Sequence, residues 1–235
     1  MNLKQKQFLP SITTTRNSNW QSKIKEINQL NLKKAAVFPT CLDNIEKRQE
    51  FFKLLEKTGL EEIPFCHLRS DMRPEELDYL IKKWQVRVFN THSEKEFPLE
   101  YDLSKYKDRI FIENTYTSYD AKEIAGFAGI CLDFSHLEND RLLHKTKYKQ
   151  NMRVLEQFSI GCNHISAIKK QAHQDLNGEP IYAAHYFEDL AEFDYLTVYP
   201  QHYFSNFIAM ELENSLQDQL KAIDYICGLL NKNGS

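Results

Sequence analysis

Glycine is scarce in this chain, with only seven among 235 residues. That scarcity argues against a Gly-rich loop cradling a phosphate in the usual way. No apolar run approaches the roughly 20 residues of a membrane span. Nothing at the start reads as a signal peptide, because Met1-Asn-Leu-Lys-Gln-Lys leads into a short apolar patch broken by Pro10. Neither sign of charge dominates: the net charge is -3 and the pI is near 6.3. The chain therefore lacks the electrostatic footprint of a nucleic-acid or anionic-membrane binder. Its cysteines, at 41, 66, 131, 162 and 227, form no C-x-x-C pair. Cys66, Cys131 and Cys162 lie in apolar strand-like runs, as buried reduced thiols of a cytoplasmic protein would. No linker, low-complexity tract or internal repeat breaks the sequence. With 42% hydrophobic and 27% charged residues, it reads as globular.

What is present is a regular alternation. Strand-like runs occur at 8–14, 35–40, 63–69, 86–92, 109–115, 129–136, 160–166 and 207–214. Most are separated by helix-length segments. Ser18 caps a helix with Trp20, Ile24, Ile27 and Leu30 at helical spacing. Asp43 or Asn44 opens the next, and Gly59 ends it. Pro74, beside acidic residues, starts a third that runs to Lys83. Short helices are expected after strand four and within 118–126, a long charged one over 138–157, and a last over 215–230. The excursion from Lys169 to Asn206 holds a helix-like stretch at 187–193. It also holds an aromatic run at 195–204, which is expected to pack against the barrel, with a sugar-stacking wall as the alternative, and includes a ninth-strand candidate at 195–198. The pattern predicts a parallel α/β TIM (β/α)8 barrel, one domain over 1–235 with 1–6 and 231–235 frayed.

In such barrels the site sits at the C-terminal rim of the strands. Those ends carry His67, His92, Glu113, Asp133 with His136, His164 and Glu211, and His185 follows in the excursion. Alternation puts Phe65, Asn90, Phe111, Cys131, Cys162 and Ala209 on the same inward face, two residues earlier. A single strand histidine is usually a hydrogen-bonded core residue, and a single strand-end glutamate is usually a cap or an ion-pair partner. Glu113 and Glu211 have apolar flanks, where a lone carboxylate is costly unless paired or metal-bound. Coincidence across six strands points to a divalent metal. Zn, Mn and Co all accept mixed carboxylate and imidazole ligands. His144 and His202 read as surface or rim residues, His173 as a solvated loop residue, and Lys145–Lys149 as a solvated helix face.

Ile112-Glu-Asn-Thr115, Cys131-Leu-Asp-Phe-Ser-His136, Asn163-His164-Ile and Ile208-Ala-Met-Glu211 resemble the xylose-isomerase-like barrel superfamily. Its members include endonuclease IV and many sugar isomerases and epimerases. The resemblance spans nearly the whole chain. It implies that Glu113, Asp133, His164 and Glu211 form a shared metal core. His136 would be a second-site ligand in an endonuclease or a substrate contact in an isomerase. His67 and His92 are placed like two further histidines of the endonuclease IV site, and His185 like a later one. Ala183 stands where that family has an aspartate, and the loops that grip DNA look short.

A sugar or sugar-phosphate isomerase or epimerase is placed first, because the acidic charge and Ala183 count against DNA. One ion would polarise a sugar carbonyl, Glu113 or Glu211 would move the proton, and His136 would hold a hydroxyl. Arg69 and Lys169 are expected to pair with local acids rather than bind a phosphate. The alternative is an endonuclease IV-like phosphodiesterase (AP endonuclease family 2) with several metals, in which His67, His92 and Glu113 hold another ion. A non-catalytic metal-binding scaffold is the third reading. The expected partner is a small sugar-type molecule, with nucleic acid disfavoured by charge and no membrane involved.

Overall fold

The computed structural model describes residues 6–175 and 177–232. Its strands are β1 (Gln7–Leu9), β2 (Ser11–Thr13), β3 (Ala36–Phe38), β4 (Phe65–His67), β5 (Val88–Thr91), β6 (Ile110–Glu113), β7 (Gly129–Asp133), β8 (Ile160–Ile165), β9 (Ala167–Gln174), β10 (Pro180–Ala184) and β11 (Phe207–Met210). The first expected strand is split into β1 and β2 at Pro10, which has no N–H to give to a ladder. The split closes the barrel. β1 pairs in parallel with β11, while β2 pairs in parallel with β3. From β3 the sheet runs through β4, β5, β6, β7 and β8 to β11, every pairing parallel. This is the closed α/β barrel that the alternation predicts.

Among the described residues seven α-helices accompany the strands: α1 (Trp20–Gln29), α2 (Ile45–Leu55), α3 (Pro74–Trp84), α4 (Ala121–Ile124), α5 (Phe134–Leu143), α6 (Lys145–Leu155) and α7 (Leu216–Lys232). Asn19, rather than Ser18, caps α1, and Asn44 caps α2 by accepting from Lys47 N at 2.9 Å. Gly59 lies beyond the C-cap of α2 at Glu56 and does not terminate the helix. The inward positions Leu9, Ala36, Phe38, Phe65, Val88, Cys131, Cys162 and Ala209 form the plug inside the barrel. Two outer cores lie between sheet and helices. One joins Ile24, Phe51, Leu77 and Trp84, and the other joins Leu132, Phe134, Phe204 and Ile226.

Several elements differ from expectation. β7 ends at Asp133, and Phe134–His136 begin α5, because the Asp133 side chain caps that helix. The long helix expected over 138–157 breaks at His144 into α5 and α6. The break lets Lys147 and Asn151 of α6 reach the buried Asp140 carboxylate, at 3.1 and 3.3 Å. The last strand stops at Met210, one residue short of Glu211. The excursion contains an antiparallel hairpin of β9 and β10. The ninth-strand candidate is instead part of a 3-10 helix, Leu190–Val198. Tyr195, Tyr199, Tyr203 and Phe204 are buried against the outer core, as packing residues should be. Fraying of residues 1–5 and 233–235 lies outside the described residues, whereas Lys6 is buried and residues 231–232 continue α7. No helix among the described residues is long and apolar enough to cross a membrane.

Candidate metal centre

The strand ends converge at one mouth of the barrel. Glu113 closes β6, Asp133 closes β7, His164 lies near the end of β8, and Glu211 follows β11. One ligand atom from each of these four lies within 4.8 Å of all the others. Nδ1 of His164 stands 3.5 Å from Oε2 of Glu113, 3.8 Å from Oδ2 of Asp133 and 3.4 Å from Oε2 of Glu211. All four side chains are buried.

Local bonding explains this convergence. Asn114 bridges the ends of β6 and β7: its amide donates to Asp133 O at 2.9 Å and its Oδ1 accepts from Asp133 N at 2.8 Å. The asparagine after Glu113 thus sets the offset between two carboxylates. Oδ1 of Asp133 accepts from the Ser135 hydroxyl at 2.7 Å and from His136 N at 2.8 Å. Oδ2 is left to face the centre. The same cap places His136 one turn into α5, with Nε2 4.0 Å from that Oδ2. Glu211 is fixed by its own backbone, whose N–H donates to Ile165 O at 2.9 Å and whose carbonyl accepts from Ser166 Oγ at 3.0 Å. The His164 ring rests on the plug, with its centroid 4.9 Å from that of Phe38 and 5.4 Å from that of Phe65.

A second group adjoins the first. Nε2 of His67 is 3.2 Å from Oε2 of Glu113 and 3.3 Å from Nε2 of His92, which is itself 3.9 Å from the same carboxylate oxygen. Nδ1 of His67 is 2.6 Å from the Leu68 carbonyl. That contact requires Nδ1 to carry a proton and aims Nε2 inward. Glu113 therefore belongs to both groups. Asn90 donates to its Oε2 at 2.6 Å. His185 stands at the outer edge, with Nε2 3.9 Å from Oε2 of Glu211. Every histidine and carboxylate expected at the site is thus brought to this mouth; His173 and His202 are exposed, and the exposed His144 lines the cleft that leads out from His136. Sequence reasoning missed two participants. Asn90 was visible only as an inward residue, and Cys131, read as a core thiol, comes within ligand distance of Glu113 and His164.

The electrostatics call for a cation. Three carboxylates and one imidazole are confined in a volume shielded from water. Without a cation, burial alone would push Glu113 up, yet His164, then His67 and His92, hold it well below the ordinary glutamate range. Burial likewise opposes ionisation of Glu211, but His185 and His164 bring it down to about 2. His164 resists burial and rises well above a normal histidine because Glu113 and Glu211 face it. Asp133 is raised by burial. Its Oδ2 and both ring nitrogens of His164 have no hydrogen-bond partner. Each such orphan costs about 1–3 kcal/mol. Donor atoms about 2.0–2.2 Å from a tetrahedral ion are about 3.4 Å apart, close to the 3.4–3.8 Å around His164 Nδ1. The residues present fit a divalent ion.

Three cations near the mouth are already paired. Arg69 bonds Asp71 at 2.9 Å and the Thr40 carbonyl, and Lys169 bonds Glu192 at 3.0 Å and Glu188 at 3.2 Å. Lys147 spans Asp140 at 3.1 Å and Thr115 O at 2.5 Å. A cleft of about 870 Å³ leads outward from His136 and Thr115, between the start of α6 and the hairpin tip.

No protein-family model matches the sequence, and no curated protein is matched by it. Solved structures do match. The zinc-bound IolI protein superposes with a TM-score of 0.55 at 12% identity, covering 94% of this chain and 99% of that one. The likeness is one of fold, an α/β barrel. Two further matches have lower scores. N-acetylneuraminate lyase from Mycoplasma synoviae has a TM-score of 0.48 at 11% identity, covering 98% of this chain and 82% of that one. The probable 3-DHS dehydratase AsbF from Bacillus anthracis has a TM-score of 0.44 at 12% identity, covering 93% and 98%. At these identities the likeness concerns the fold, and the chemistry has to come from the site.

Proposed function

We propose that this barrel is a divalent-metal-dependent phosphoester hydrolase with two adjoining ion sites. Glu113, Asp133, His164 and Glu211 would hold one ion, and His67, His92 and Glu113 the other. The observation that carries this reading is the shared carboxylate: Oε2 of Glu113 lies 3.2 Å from His67, 3.9 Å from His92 and 3.5 Å from His164. Bound ions would supply Lewis-acid stabilisation of the charge that develops on a phosphoryl group in flight. The protein's own residues do the rest. Asn90 holds Glu113 in the orientation that serves both groups. Ser135 and the amide of His136 occupy one oxygen of Asp133 and free the other. His136 and His185 flank the centre with partly exposed rings, 19% and 37% accessible. From there either can carry a proton to or from the leaving oxygen. Reaching the first expectation's sugar chemistry needs only the four-residue core.

That sugar isomerase or epimerase remains the second reading, favoured by one observation. Glu113 and Glu211 stand on either side of His164 Nδ1, at 3.5 and 3.4 Å, as a pair exchanging a substrate proton across one face would. The cytoplasmic, single-domain reading of the chain is carried with both.

Hydrolysis of bis(p-nitrophenyl) phosphate with Zn, Mn or Co separates them. The first reading expects metal-dependent turnover that falls by about 100-fold or more in His136→Asn and is abolished in His67→Ala/His92→Ala. Absence of turnover, together with deuterium uptake from D2O at the carbon beside a ketose carbonyl, would reverse the order.

A further inference from the structure

Aromatic residues make up 12% of the chain, and nearly all are withdrawn from solvent. Among the described residues, the Phe, Tyr and Trp side chains in the exposed class are Phe97 at 46%, Tyr116 at 65% and Tyr186 at 45%. All three stand at the mouth of the metal centre. The Phe97 ring lies 5.1 Å from that of His92, and both line a small cavity with His67. Tyr116 lies three residues beyond Glu113 and lines the large cleft with His136. Tyr186 follows His185, and Lys169 Nζ sits 3.9 Å over one face of its ring. Lys169 is itself tied to Glu188 and Glu192, so that face of Tyr186 is buttressed. Rings left in water add nothing to the core, and their confinement to the catalytic rim has no account in folding. Flat, sequence-tolerant stacking platforms are what aromatic side chains offer to nucleobases.

We infer that the rim rings bind the base of a substrate whose phosphoester is cleaved at the metal centre, which rests on the hydrolase reading above. The ligand class is a base-bearing phosphate ester, either a mononucleotide or a short single strand. A duplex is a poor occupant, because Arg69, Lys147 and Lys169 are engaged by acids and the chain's net charge is -3.

The test is isothermal titration of the Zn-loaded full chain with adenosine 5'-monophosphate, ribose 5-phosphate and adenosine. The same ligands are then titrated into Tyr116→Leu/Tyr186→Leu, whose exposed positions leave folding intact, as a thermal melt verifies. Stacking of one base corresponds to about 5- to 150-fold in affinity. The nucleotide should bind at least about 10-fold tighter than ribose 5-phosphate, with the margin falling to about twofold in the variant. Equal affinity of the two phosphates in the native protein, or a margin that survives in the variant, overturns the inference. Ribose 5-phosphate binding that needs metal tests the hydrolase reading separately. If adenosine binds through the rings and ribose 5-phosphate does not bind at all, the stacking surface stands and phosphoester chemistry falls. If neither adenosine nor its monophosphate binds, the stacking surface falls. A thymidine oligonucleotide that binds at least tenfold tighter than the mononucleotide would identify a single strand as the source of the base, and equal affinity would identify the mononucleotide.

Discussion

Replacing Asn90 should weaken metal binding without touching a ligand. Asn90 is fully buried, and its amide donates to Oε2 of Glu113 at 2.6 Å, the oxygen that both groups of ligands share. A hydrogen bond to a charged carboxylate contributes about 1.5–3 kcal/mol. Groups that orient a metal ligand typically account for about 10- to 100-fold in affinity, or about 1.4–2.7 kcal/mol. The two ranges agree, so Asn90→Ala should raise the Zn Kd by about 10- to 100-fold. Competition against a chromophoric chelator measures it. Asn90→Asp provides the converse. It sets a second carboxylate against Glu113, and two such groups at hydrogen-bonding distance compete for one proton. Metal-free Asn90→Asp should melt below the native protein, and Zn should raise its Tm by more than it raises that of Asn90→Ala. An Asn90→Ala protein that binds Zn within about twofold of the native chain would refute the argument that this amide holds Glu113 for the ion.

Two further outcomes are expected. His92 is pushed down to about 4, chiefly by burial. Its folded value lies below its unfolded value of about 6.5, so between the two the unfolded chain binds the extra proton. Metal-free protein should therefore lose stability as pH falls from about 6.5 to 4, by about 2 kcal/mol after allowing for the ring's partial exposure; denaturant melts across that range should flatten in His92→Gln. Arg48 is buried and forks onto Glu76 at 2.7 and 3.0 Å while reaching Asp71 at 3.1 Å. Arg48→Met strands the Glu76 carboxylate, while Asp71 keeps Arg69 at 2.9 Å, and should lower Tm by roughly 10 °C with Zn affinity unchanged, since no metal ligand touches Arg48; coupled loss of metal would disprove that separation.

Much of the site was legible because β strands impose a period of two and a barrel imposes a rim. Given those rules, Glu113, Asp133, His164 and Glu211 fall at equivalent heights, and Cys131 and Cys162 fall below them in the plug. His136 was found through the D-x-x-H spacing, although the physical cause is a helix cap rather than a strand end. The β9–β10 hairpin was not legible: Ala167–Gln174 has the burial of a strand only in its first residues, and Lys170–Gln174 are exposed and, Ala172 apart, polar. Such a strand is specified by its partner, and no hydrophobic alternation announces it. The rim aromatics were hidden for the opposite reason. Phe97, Tyr116 and Tyr186 look like core residues by composition, and only the fold reveals that they are not. Asn90 required the contact with Glu113 to be seen.

The central claim is that Glu113 serves two ion sites. Elemental analysis of protein purified without chelator, after equilibration with Zn, tests it directly. The native chain should carry two equivalents, and His67→Ala/His92→Ala should carry one. A single equivalent in the native chain, unchanged by the double substitution, would contradict the two-site account and return the barrel to one-metal sugar chemistry.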